Sequence, residues 1–325
     1  MHRLKKRTLR HFHFDFKNKT YWKFILIFLL IFLVCFFVYQ TYLALNYSIW
    51  DGKRQITLAV EQNNQLAYLK ITPELNEAKL WLLPTNAMLE TAYGYGEYKT
   101  FNLKKLAKQE DLDFGSFLQN SMTQFLGSVT DGYLINLGGK DKQPKSLLLK
   151  ALLAQAKTKL TAWDLLRLYF FVNNLRFEQV EVLDLSQTKV FSQETLPDQS
   201  EVLKTNFDFL DKMVFRDLAN PDFLKQDFTW EIYNGTNHSG LANLFKRIVA
   251  NSGFDVVGVR QANELHDKTM IYLNSRIENP TVVNFFASYF ALPITVDDGQ
   301  TLHADVAVFL GEDFWQKYCS RPTSQ

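Results

Sequence analysis

The chain has 325 residues, of which 47% are apolar, 15% aromatic and 22% charged, with 14 Gly and 8 Pro, a composition that excludes a disordered, collagen-like or low-complexity protein. The formal net charge of +2 hides an asymmetry: residues 1–23 hold eight Lys/Arg and one Asp, and the rest of the chain holds 28 basic and 33 acidic side chains. A nucleic-acid reader carries its basic stripe on the folded part; here that part is mildly acidic, which argues against nucleic acid as a partner.

The first element is an apolar run. Residues 24–50 are 27 consecutive positions without a charge, and 24–45 are dominated by Phe, Leu, Ile and Val. At about 1.5 Å per residue, 24–45 reach roughly 33 Å, enough for a hydrocarbon core of about 30 Å. A cleavable signal peptide shares this order of basic and apolar regions, but no small-x-small site stands near Ala44, so a retained transmembrane helix is expected. Arg3, Lys5, Lys6, Arg7, Arg10, Lys17, Lys19 and Lys23 lie before it. The positive-inside rule then makes 1–23 a cytoplasmic tail and places the chain from 51 onward outside the cell membrane. Trp22, Tyr39, Tyr42, Tyr47 and Trp50 suit the two interfaces.

Beyond the apolar run, 55–60, 66–71 and 78–83 read as strands, the last ended by Pro84. Gly94 and Gly96 interleave with Tyr93, Tyr95 and Tyr98 in a loop that offers stacking surface. Phe117, Leu118, Met122, Phe125 and Leu126 recur at helical spacing before Gly127, and 133–137 is a strand. Helices are expected over 145–157 and from a Thr161/Asp164 capping box to 175. A strand over 178–185, a polar stretch over 186–200 and a helix over 206–218 follow. Asn220 and Pro221 then mark a linker between an outer domain, 51–220, and a second domain, 226–320.

The second domain has the clearest order: strands at 229–233, 254–259, 268–273 and 305–310 and helices at 239–251 and 281–290. The sum is β-α-β-β-α-β, with both helices expected on one face of an antiparallel-type sheet. The fold class is therefore mixed α/β: one transmembrane helix, a sandwich-like α/β domain and a small β-α-β-β-α-β domain.

The chemistry-bearing candidates are few. Cys35 and Cys319 make neither a disulfide framework nor a zinc site, and His2, His11, His13, His238, His266 and His303 show no metal-ligand spacing. No metal, cofactor or catalytic residue is expected. The sharpest local motif is Asn234-Gly235-Thr236-Asn237-His238-Ser239-Gly240, where a strand turns into a helix. Gly235 is expected at positive φ and Thr236 to Ser239 as the helix cap, and exposed backbone N–H groups at a helix start can hold an anion. Asn234, Gly235, Thr236, Asn237 and His238 are the candidate binding residues. Arg167 and Arg176, the basic residues of the 161–175 element and its end, are a candidate anion site.

Several runs in the second domain, WEIYNGTNHSGLANLFKRIVANSGFDVVGV, KTMIYL and ADVAVFLGEDF, together resemble the C-terminal domain of LytR-CpsA-Psr cell-envelope proteins. Residues 53 to about 190 more faintly resemble that family's preceding domain, which transfers lipid-pyrophosphate-linked glycopolymers onto peptidoglycan. Leu82-Leu83-Pro84, Leu126-Gly127, Asp131-Gly132-Tyr133, Gly138-Gly139 and 160–167 carry this likeness. Where the family has Arg and Asp after that proline, this chain has Thr85 and Asn86; where it has Arg-Ser-Asp, this chain has Gln62-Asn63-Asn64. A pyrophosphate-transfer site needs cationic clamps and acidic metal ligands, and neutral amides supply neither. The resemblance implies a bacterial envelope protein with a degenerate transferase-like domain: a non-catalytic scaffold, or a binder of peptidoglycan, an envelope glycopolymer or other envelope proteins. The alternative is a divergent phosphotransferase attaching lipid-linked glycopolymers to peptidoglycan.

Overall fold

The computed structural model describes residues 19–322 except 140–141, 196, 198, 200, 278–279 and 298–302; the tail positions up to Lys17, with His2, His11 and His13, lie outside the described residues. The chain divides into two units, 1–47 and 48–325. The first contains the helix α1 (Lys19–Asn46), 28 residues long, on which every side chain from Trp22 to Phe36 is exposed. Among the described residues no helix is long and apolar enough to cross a membrane.

In the second unit, the first hairpin explains two of the neutral residues. β1 (Ile56–Gln62) and β2 (Gln65–Thr72) pair antiparallel with Gln62 opposite Gln65, leaving Asn63 and Asn64 as a two-residue turn at φ 50° and 65°. Such a turn matches the twist of its strands only with both residues left-handed, a conformation asparagine tolerates better than most. β3 (Glu77–Leu82) continues the meander, as expected from sequence. A hairpin of β4 (Met88–Thr91) and β5 (Gly96–Lys99) and the helix α2 (Leu103–Gln109) follow, around the 93–98 segment expected as a loop.

The helix α3 (Phe114–Leu126) starts where the Asp113 side chain accepts from Ser116 N and ends at left-handed Gly127. β6 (Gly132–Leu137), α4 (Pro144–Lys150), β7 (Lys157–Thr158), α5 (Ala162–Asn173) and β8 (Val180–Asp184) complete a six-stranded sheet of order β7-β6-β1-β2-β3-β8. The helix expected over 145–157 passes into a π-turn at Ala151–Gln155. The Thr161/Asp164 capping box is present. Both faces of the sheet are covered. Ala59, Tyr68, Trp81 and Ile135 pack against α2 and α3, while Leu58, Val60, Leu80 and Leu134 pack against α4 and α5, so the central strands read as apolar runs. The 186–200 stretch contributes β9 (Phe191–Thr195), which pairs with β10 (Glu201–Thr205), and α6 (Phe207–Leu218) closes the first lobe.

Asn220 and Pro221 are not a solvated linker. Asn220 is buried, donates its N–H to Ser252 O, and caps the short helix α7 (Pro221–Leu224), whose Phe223 already belongs to the second core. The second lobe is built from β11 (Thr229–Asn234), α8 (Leu241–Ser252), β12 (Asp255–Gln261), β13 (Met270–Asn274), α9 (Thr281–Phe290), β14 (Ile294–Asp297), β15 (Val306–Leu310) and α10 (Glu312–Tyr318). The expected β-α-β-β-α-β elements are all there, with β14 and α10 added. The antiparallel expectation fails: the order is β12-β11-β15-β13-β14, and only β13 with β15 runs antiparallel. The reason is that α8 returns the chain beside β11 in the same direction, a parallel crossover. Both long helices do share one face, where Trp230 meets Phe254 at 4.7 Å and Phe286 at 5.4 Å between ring centroids.

A buried lysine holds the passage between the lobes. Lys70 Nζ donates to the carbonyls of Asp217, at 2.9 Å, and Ala219, at 3.3 Å, capping the negative end of α6. Burial pushes its pKa down to about 8, against the pull of Glu77 and Asp217 and with help from Lys79. The folded state therefore releases this proton near pH 8 while the unfolded chain keeps it to above pH 10, so stability from this group rises with pH through that window. Relative to Lys70→Met, the full chain in detergent gains roughly 2 kcal/mol between pH 7.5 and 9.5, measured by chemical denaturation. A pH-independent difference between the two proteins would contradict the assignment.

Candidate functional site

The strand-to-helix turn after β11 is held from inside. Asn234 Oδ1 accepts from Thr236 N at 3.1 Å and Thr236 Oγ1 at 2.8 Å, its Nδ2 donates to His238 O at 3.0 Å, and Gln261 Nε2 donates to Thr236 O at 3.1 Å. Gly235 is not at positive φ, contrary to the expectation. Its hydrogen is required for close approach instead: a Cβ there would stand 2.7 Å from Leu310 O and 2.5 Å from His266 Cδ2. The left-handed residue is Gly240, φ 85°, which begins α8 with no side-chain cap, so Thr236 to Ser239 do not cap the helix.

His238 is fixed on two sides by α10. Its ring lies flat on Trp315, 3.7 Å between centroids and 3° between planes, and its Nε2 meets both Glu312 oxygens at 3.0 and 3.1 Å. Neither partner was anticipated from sequence. The visible signal was the Gly-Glu-Asp-Phe run at 311–314, an acidic first turn that suits a helix start.

These residues border a cleft of about 620 Å³ between the lobes. From the second lobe come His238, Ser239, Gly240, Asn243 and Trp315; from the first come Glu90, Gly94, Gly96, Phe207 and Asp211. The structure thus joins two motifs that lie far apart in sequence, the 93–98 glycine loop and the 234–240 turn. Asn234, Gly235 and Thr236 are buried beneath it as a rigid support, and Asn237 is exposed. Rings, carboxylates, amides and a hydroxyl on a wall kept low by glycines suit a polar ligand with flat apolar faces.

Arg247 closes the back of the cleft. Its Nε donates to Asp211 at 2.7 and 2.9 Å, its two terminal nitrogens to Gln124 O at 2.8 Å and Phe125 O at 2.7 Å, and the guanidinium lies 4.7 Å from the Phe207 ring centroid. Cys319 also lines it, and burial, with Glu90 nearby, pushes the thiol up to about 12. A thiol protonated at neutral pH is no nucleophile. Among the described hydrogen bonds no hydroxyl or thiol meets the His238 ring, and among the described residues no His/Cys/Asp/Glu group could hold a metal.

The other candidates lie elsewhere. Arg167 donates to Trp50 O at 2.9 Å and to Asp51 O, with its guanidinium 5.3 Å from the Trp50 ring centroid. It ties down the segment that follows α1, as does Asp164 through Ser48 and Ile49. Arg176 is exposed, its backbone N–H donating to Gln179 Oε1. Gln62 and Asn63 donate to Gly138 O and Gly139 O at 3.0 and 2.6 Å, so their amides brace a loop. The carbonyls of Thr85 and Asn86 accept from Phe101 N and Leu203 N.

Gly235→Ala is expected to lower stability by on the order of 2 kcal/mol, because backbone on one side cannot yield, whereas Asn237→Ala leaves it unchanged. Thermal unfolding of the full chain in detergent reads this as a fall of roughly 4 °C or more for the first variant only. An unshifted Gly235→Ala would refute the close-approach account.

Residues 227–314 match the family model described as LytR cell envelope-related transcriptional attenuator. Curated proteins show no significant sequence similarity to the chain. Similar solved structures include TagT of Bacillus subtilis, at TM-score 0.39 and 12% identity over 50% of this chain and 89% of that one. TagV of B. subtilis gives 0.38 and 10% over 49% and 94%. The LytR-CPS2A-psr family protein YwtF (TagT) with bound octaprenyl pyrophosphate lipid gives 0.35 and 14% over 50% and 88%. At these identities the likeness assigns no residue a role. The family match rests on the second lobe, the stretch whose motifs carried the resemblance, and it identifies residues 227–314 of this chain as a LytR C-terminal domain.

Proposed function

We propose that the chain is a single-pass bacterial envelope protein that binds cell-wall glycan or an envelope glycopolymer in the interlobe cleft without acting on it. In this reading α1 spans the cell membrane over residues 24–45, residues 1–23 are cytoplasmic, and the domains 51–220 and 226–320 lie outside. The uncharged apolar run and the basic residues before it support the span and its direction. The observation that carries the binding role is the cleft itself. Trp315 and Phe207 offer flat apolar surface for the C–H faces of sugar rings, and Glu90, Asn243 and Ser239 offer hydrogen-bonding groups for hydroxyls.

The non-catalytic part of the reading follows from what the side chains are already doing. The His238 imidazole is committed to Glu312 and Trp315, Cys319 holds its proton, and Asn63 and Asn64 serve a hairpin turn. Glu61 favours the rival, a divergent phosphotransferase, since it is a buried carboxylate at the end of β1 beside Lys104. Its oxygens, however, accept from Asn64 N at 2.9 Å and Asn136 N at 2.7 Å, which makes it a loop anchor.

The test uses the full chain in neutral detergent and purified cell-wall sacculi. Wild-type protein is retained, and His238→Ala with Asn243→Ala, which touch the cleft surface and leave the cores intact, reduces retention about tenfold. Equal retention of both proteins, or none of the wild type, refutes glycan binding in this cleft. Metal-dependent turnover of a polyprenyl-pyrophosphate substrate would establish the phosphotransferase instead.

A further inference from the structure

A second cleft, of about 550 Å³, lies on the other side of the contact made by the 93–94 loop and the end of α10. Tyr93 and Tyr318 line this cleft, and their chain neighbours Gly94 and Cys319 line the first. Its charge is different. Arg54, Lys159 and Lys317 line it with one carboxylate among the lining residues, Asp131, in a chain whose residues beyond 23 are acidic overall; Asp51, outside the lining, also acts on Arg54.

Asp131 presents little of its carboxylate to the cleft. Its side chain is nearly enclosed, with Oδ2 accepting from Thr57 N at 2.8 Å and Thr57 Oγ1 at 2.9 Å, while Oδ1 stands 3.9 Å from Arg54 Nη1. Burial raises its pKa in spite of Arg54 and Lys159. Arg54 also donates to Ile49 O, and Lys317 Nζ lies 3.3 Å from Phe290 O, so these cations are aimed by backbone carbonyls. Lys159 and Lys317 are exposed at the cleft. Asn120 adds a side-chain amide whose Nδ2 donates to Tyr93 Oη at 2.7 Å. Three cations, an amide and one shielded carboxylate form an acceptor for a compact oxyanion.

We propose that this cleft binds a compact phosphate-bearing group. The site lies at the starts of β1 and β6, the opposite end of the sheet from the Asn63–Asn64 turn, and is therefore distinct from the position where the transferase resemblance would put chemistry. Two sources share this chemistry, an anionic phospholipid and a soluble glycerol phosphate. The lipid is favoured because Ile49 and Arg54, two of the lining residues, belong to the short segment that follows α1 in the chain. That preference rests on the reading of α1 as a membrane span; the oxyanion site does not.

The experiment uses the full chain. In neutral detergent at constant ionic strength, sn-glycerol 1-phosphate is titrated calorimetrically into wild type and into Lys159→Gln with Lys317→Gln, exposed positions that leave the fold unchanged. Saturable binding weakened tenfold or more in the double variant is expected; no binding, or equal binding by both, overturns the site. In nanodiscs, phosphatidylglycerol against phosphatidylcholine is expected to slow hydrogen exchange at residues 116–120 in wild type only. No difference between the two lipids, with the soluble titration intact, overturns the lipid source and upholds the site. Release of the chain from native membranes by alkaline carbonate would overturn the span separately, since the detergent titration does not depend on it.

Discussion

The guanidinium of Arg247 is the interaction on which the 48–325 unit depends. It sits on α8 of the second lobe and reaches the last carbonyls of α3, the carboxylate of Asp211 on α6 and the ring of Phe207. Cations are favoured at helix C-termini, and a planar fork with five donors can serve two carbonyls and a carboxylate together. Asn251, one turn further along α8, repeats the pattern with Leu126 O at 3.2 Å and Asp211 at 3.0 Å. Removing the guanidinium strands a half-buried carboxylate and two helix-end carbonyls, a loss on the order of 3 kcal/mol. More than stability is at stake, because this contact sets the separation of the walls on which both clefts depend.

From that constraint the functional surfaces follow. Tyr289 on α9 adds a second tie, its hydroxyl meeting Thr130 O and lying 3.2 Å from Thr130 N, and Gln124 Nε2 donates to Tyr318 O at 2.7 Å. With the lobes held at these points, the gaps between them include one cleft with rings and carboxylates and one with cations. The adjacency of the two through residues 93–94 and 318–319 gives neighbouring places for a sugar-like and a phosphate-like group. Both lobes contribute to either surface, so neither lobe alone would carry the proposed binding.

Much of this was legible in the sequence. Apolar runs gave β1, β2, β3 and β6, because strands covered on both faces lose the alternation that would otherwise mark them. Capping chemistry gave α5 through Thr161 and Asp164, and glycine gave the ends of α3 and α8. Of the 234–240 motif, His238, Ser239 and Gly240 line a cleft. What escaped was set by contacts distant in the chain: Gly235 answers to Leu310 and His266, His238 to Glu312 and Trp315, and Arg167 to Trp50 and Asp51. The short hairpin β4–β5 escaped because four-residue strands interrupted by glycine and tyrosine carry little periodic signal. The parallel pairing of β11 with β12 escaped because element order does not determine strand order.

The account's central claim is that both lobes contribute to one glycan-binding surface. Amide hydrogen exchange of the full chain in detergent, with and without soluble wall-glycan fragments, tests it most directly. The account predicts slowed exchange together at residues 94–96 of the first lobe and 238–244 of the second, lost when Arg247→Met releases the lobes. Slowing confined to one lobe, or unchanged by Arg247→Met, would contradict it.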